Sequence, residues 1–138
     1  MISRNFITLV FVLLTVLAQA QTNKETNIKM QDLDQPFFLS LKENRTIENT
    51  DSLSIQFTDC VKEWGYDTPP EDPDRKYFEE VQYTLEMKHI GFTNTVSFTS
   101  SNIQENLYFL FHEFKIYILS EDYNDQNPKL ELKVEELK

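Results

Sequence analysis

KYFEEVQYTLEMKH, residues 76–89, can be drawn as a helix or as a strand, and the choice sets the fold. In a helix, with roughly 3.6 residues to the turn, Val81, Tyr83, Leu85 and Met87 would point around the whole circumference. In a strand these four share one face, and Gln82, Thr84, Glu86 and Lys88 share the other. Period two therefore predicts a long strand with one dry and one wet side. Gly91 follows where a turn is needed, and Val96 and Phe98 continue the alternation through FTNTVSFTS, residues 92–100.

The same period recurs outward in both directions. In SLSIQFTDCVKEW, residues 52–64, Leu53, Ile55, Phe57 and Val61 are predicted on one face, with Ser54, Gln56, Thr58 and Lys62 opposite. PKLELKVEEL, residues 128–137, sets Leu130, Leu132 and Val134 against Glu131, Lys133 and Glu135. FFLSL, residues 37–41, adds a short strand near the start. NLYFLFHEFKIYILS, residues 106–120, adds two more if it breaks in the middle.

Unbroken, that segment would bury His112 beside Leu110, Phe114, Ile116 and Ile118. A bend at His112 and Glu113, bracketed by Phe111 and Phe114, accounts for both polar residues without burying a charge. About seven short strands with one wet face each predict an all-β fold, an antiparallel two-sheet sandwich of immunoglobulin-like kind, with a small β-barrel as the alternative.

MISRNFITLVFVLLTVLAQA, residues 1–20, has Arg4 in a short leading region, an apolar run and a small-x-small ending, Ala18-Gln19-Ala20. This is the pattern of a cleaved secretory signal, with cleavage after Ala20 and a secreted or periplasmic product. The apolar run is shorter than the roughly 20 residues a membrane span requires, so no membrane insertion is expected after cleavage. Residues 21–35 are polar and aperiodic and read as a flexible lead, leaving residues 36–138 as one domain.

The chain carries 13 basic and 23 acidic residues. Losing Arg4 with the signal leaves 12 against 23, a net charge of −11. Such a field repels phosphate backbones, which argues against nucleic acid, and it favours a basic protein or peptide as partner. Cys60 is the only cysteine, so no intrachain disulfide forms, although pairing between chains stays open.

KEWGYDTPPEDPDRK, residues 62–76, holds three prolines and five acidic residues and reads as an extended exposed loop. Within it Trp64 and Tyr66 flank Gly65, and aromatic residues in loops serve as contact anchors or fold back as a plug over the core. Trp64, Tyr66, Glu71, Asp72 and Asp74 are the candidate binding residues.

No catalytic residue, cofactor or metal site is assigned from spacing. His89, His112 and Cys60 form no metal signature, and Cys60 as a nucleophile would require a neighbouring base. Asp122, Asn124 and Gln126 have the opening spacing of a calcium loop without its glycine or its closing glutamate, and Glu71, Asp72 and Asp74 would add carboxylates only if the two loops met. Asn44-Arg45-Thr46 fits an N-glycosylation acceptor.

The run from Leu39 to Thr46, LSIQFTD at residues 53–59, FHEFKIYIL at residues 111–119 and the closing KLELKVEE resemble a group of short exported bacterial all-β proteins of unknown function. That group has an F-x-L-x-x-G-x-T opening, an I-x-F strand and an aromatic-x-x-Y-x-I-x-L strand before the last one. The resemblance implies the sandwich and export and supplies no activity. Some members carry a cysteine pair in a D-S-R-C-P loop; the corresponding KEWGYDTPPEDP here lacks it, so nothing resting on that pair carries over.

The function expected is that of a non-catalytic binding or structural module. The alternative is an inhibitor-like domain that engages a basic enzyme or cationic peptide through its acidic loops. An enzyme or metal protein using His89, His112 or Cys60 comes third.

Overall fold

A computed structural model describes residues 29–138; the expected signal peptide and the first part of the expected lead lie outside them. Nine strands form two sheets packed as a sandwich that does not close into a barrel. The first sheet has the order β1 (Lys29–Gln31), β3 (Asn44–Ile47), β4 (Ser54–Tyr66), β5 (Tyr77–His89), β6 (Phe92–Thr99). The second runs β2 (Phe37–Ser40), β9 (Lys129–Glu136), β8 (Phe114–Asp122), β7 (Tyr108–Phe111). A single helical turn, α1 (Ser100–Ile103), carries the chain from one sheet to the other.

All pairings are antiparallel except β1 on β3. Within each sheet most neighbours are consecutive in sequence, so the architecture is a sandwich made of two meanders.

The alternation read in residues 76–89 is realised in β5, where Val81, Tyr83, Leu85 and Met87 are buried. They meet Leu39, Ile116, Ile118, Leu130, Leu132 and Val134 of the other sheet in one core. Two strands exceed the expected count. β3 pairs with β4, and β1 falls inside the segment expected to be a flexible lead. Gln31 accepts a backbone hydrogen bond from Glu48, Asp34 donates one to Val134, and Leu33 packs against the core, so this end of the lead is part of the domain.

β4 corrects one face assignment. A bulge between Phe57 and Asp59 inserts Thr58, whose hydroxyl donates to the Thr84 carbonyl at 3.1 Å. One extra residue reverses every side chain beyond it. Val61, expected beside Leu53, Ile55 and Phe57, is exposed, whereas Cys60 turns inward opposite Tyr83.

The break expected at His112 and Glu113 is present, because β7 ends at Phe111 and β8 starts at Phe114. The chain has only two glycines, and Gly65 lies in a strand, so most left-handed positions fall on other residues. Asp34, Asn49, Asp51 and Asn106 tolerate that region, but Ile90 at φ 47° and His112 at φ 53° occupy it at a steric cost.

The crossing from β2 to β3 is clamped by Glu43. Its carboxylate accepts from the Ser40 N–H at 3.0 Å, from Lys29 Nζ at 2.8 Å and from Arg45 Nε at 2.9 Å. Burial alone would raise its pKa, but the hydrogen bonds from Lys29, Ser40 and Arg45 prevail and hold it at about 2, down from 4.5. A carboxylate depressed in this way stabilises the fold above its ordinary pKa, and that contribution is lost as pH falls through the folded value. Glu43→Gln should cost about 1–2 kcal/mol at pH 7, read by urea unfolding. The gap between the two proteins should close between pH 4.5 and about pH 2.

Candidate functional site

β4 and β5 outrun their neighbours. β6 covers β5 only from Gln82 to His89, so the strand segments 62–66 and 77–81 pair with each other alone and form a two-stranded arm. The loop expected over residues 62–76 is therefore confined to residues 67–76, and Trp64, Gly65 and Tyr66 belong to β4.

Trp64, opposite Glu79, is 70% exposed, which rules out a plug folded over the core. Tyr66 packs edge-on against Tyr77 with ring centres 5.6 Å apart, and the Arg75 guanidinium lies 4.2 Å from the Tyr66 ring centre. With Phe78, also exposed, the arm presents four large aromatics to solvent. From residue 62 to residue 80 it carries seven acidic and three basic side chains.

The carboxylates at the tip differ in their use. Asp67 accepts the Lys76 N–H at 2.7 Å and Asp72 accepts the Asp74 N–H at 2.9 Å, so both shape the loop backbone. Glu71 and Asp74 are exposed at the far end of the arm, and Asp72 between them is half-buried. The 120–128 connection lies nearer its base, where the Tyr123 ring centre is 5.5 Å from Lys62 Nζ.

Asn124 Oδ1 accepts the N–H groups of Gln126 at 3.2 Å and Asn127 at 2.6 Å, which makes it a turn-former. Of the calcium-like spacing at Asp122, Asn124 and Gln126, the Asn124 side chain is thus engaged within the turn.

Cys60 sits opposite Tyr83, six positions along β5 from His89, or roughly 20 Å at about 3.3 Å per residue. It shares no site with the histidines. Burial, then the charges of Asp59 and Glu121, push its pKa up to about 11 from 9.0, so the thiol is protonated at neutral pH. Alkylation of Cys60 at pH 8 should run about 100-fold slower in the folded domain than in urea, as measured by iodoacetamide mass shift; comparable rates would contradict this environment.

The histidines, by contrast, come together. His89 ends β5 and is 1% exposed, while His112 opens the turn between β7 and β8. Their ring centres are 5.3 Å apart. Phe114 lies 5.1 Å from His89, and Phe111 and Phe92 lie 4.7 Å and 5.0 Å from His112.

Glu113 Oε1 is 3.8 Å from His89 Nε2, beyond hydrogen-bond range, and neither ring nitrogen of His89 has a hydrogen-bond partner among the described residues. His89, His112 and Glu113 bring ligand-type atoms within 4.8 Å of one another, a donor set suited to a transition-metal ion. A cleft of about 470 Å³ lined by Asp51, Ser52, Lys88, His89, Ile90, Gly91, Phe92 and Thr93 opens beside them.

Sequence spacing held no sign of this cluster, since 22 residues separate the two histidines. The available signal was positional: each histidine stands at the end of a hairpin. Compared with protein-family models, curated proteins and solved structures, the chain matches none.

Proposed function

We propose that this protein is a non-catalytic binding module that acts outside the cytoplasm through the β4–β5 arm, with a basic protein surface or cationic peptide as its partner. The observation carrying this reading is the 70% exposure of Trp64 on the outer part of the arm, where β4 and β5 have no further strand partner among the described residues. Burying a large aromatic on binding supplies apolar contact, and tryptophan and tyrosine are the residues most often found at energetic centres of interfaces. The acidic excess along the arm supplies attraction to a basic partner and exclusion of acidic ones.

The raised pKa of Cys60, which keeps its thiol protonated, supports the non-catalytic part, and the residue 1–20 pattern supports export. If export is right, Edman sequencing of protein recovered outside the cytoplasm should start at Gln21. Protein found only inside the cytoplasm, with Met1 retained, would overturn it.

Trp64 is the only tryptophan, so its fluorescence reports arm engagement directly. Titration with an arginine-rich peptide at low salt should shift its emission to the blue, and about 0.5 M salt should abolish binding by screening. Trp64→Ala should weaken the interaction about tenfold or more by calorimetry. Binding that survives raised salt unchanged would remove the charge-driven partner, and affinity unaltered in Trp64→Ala would remove the arm as the binding surface.

A further inference from the structure

We propose that His89, His112 and Glu113 form a mononuclear site for a divalent transition-metal ion of the zinc type, pinning the two sheets together at one end of the sandwich. The inference is independent of the arm. It begins with His89, whose two ring nitrogens are buried and lack hydrogen-bond partners among the described residues. Polar atoms in that state are costly, and nearly all buried polar groups in folded proteins find a partner. An ion on His89 supplies one.

The donor set fits the ion class. Two imidazoles and one carboxylate are ligands of zinc and its neighbours, whereas calcium and magnesium select oxygen donors almost exclusively. Donors about 2.0–2.2 Å from a common ion stand roughly 3–3.5 Å from one another.

The three donors here lie within 4.8 Å, with His89 Nε2 and Glu113 Oε1 already at 3.8 Å. Closing the remaining gap of about 1 Å falls on His112 and Glu113, which are exposed and sit on a two-residue turn, while His89 is fixed in the core. Three protein ligands leave a coordination position for water.

The surroundings favour capture. Phe92, Phe111 and Phe114 pack on the two imidazoles and lower the local dielectric, which strengthens each ion–ligand contact. The net charge of −10 draws cations to the domain. The location also gives the ion a structural effect. His89 belongs to the five-stranded sheet and the turn holding His112 and Glu113 belongs to the four-stranded one, so coordination cross-links β5 to the start of β8. Leu137 N–H donates to the Glu113 carbonyl at 2.6 Å, which ties the C-terminal end to the same turn.

The test uses untagged, chelator-treated protein and simple chloride salts. Zinc should raise the melting temperature by about 5 °C, whereas magnesium and calcium at the same concentration should leave it in place. His112→Ala and Glu113→Gln alter exposed turn residues, so both variants should fold, and both should lose most of the zinc shift. Cobalt should give visible d–d absorption with the wild type and none with His112→Ala, a signature that a purely structural role for His112 would not produce. The absence of a zinc shift in the wild type would overturn the site. So would an equal shift in His112→Ala, which would place zinc on the acidic surface instead.

Discussion

The contact between the two sheets bears the whole fold. Leu39, Ile55, Leu85, Ile116, Leu130 and Leu132 are fully covered, and the lone cysteine offers no covalent staple within the chain. Apolar burial at about 25 cal/mol per Å² must therefore outweigh chain entropy unaided. That demand keeps the interior nearly free of polar residues and leaves polar function to the ends and edges. Glu43 serves the same end, holding the chain where it crosses from one sheet to the other.

Much of this was legible in period two. The dry faces of β5, β8 and β9 follow directly from alternating residue types, and so does the break at His112 and Glu113, because two phenylalanines in phase with different strands flank a polar pair. The bulge at Thr58 was not legible, since nothing in the local composition marks a single inserted residue. Its effect is large: it turns Cys60 inward and Val61 outward, and it reverses the side-chain phase along the arm. β1 was missed because three mostly exposed residues pairing in parallel at a sheet edge leave no hydrophobic pattern.

The two surfaces of interest differ in how they are encoded. The arm was half visible: Trp64, Tyr66 and the carboxylates stood out by type, but the prolines and charges disguised two strand ends as loop. The strand character there comes from pairing with β5, which is a tertiary property. The histidine cluster was invisible, because it depends on two hairpin turns from different sheets meeting in space. His89 also follows a buried row of β5, where an in-phase histidine looks like any other core position. The two turns carry unfavourable left-handed residues, Ile90 and His112, so the local chain there is held in place by its surroundings.

The strand order has a further consequence for how the domain is made. Most pairings join strands that follow one another along the chain, but β2 has its only sheet partner among the described residues in β9, with Leu39 opposite Leu130. The first sheet is assembled from residues 29–99 alone. The second is not: until β9 is in place, β2 has one face of the core to cover and no strand among the described residues to hydrogen-bond against. Completion of the four-stranded sheet is thereby a long-range step that joins residues 37–40 to residues 129–132, and it places β2 as an edge strand that has to be kept from accepting a foreign one.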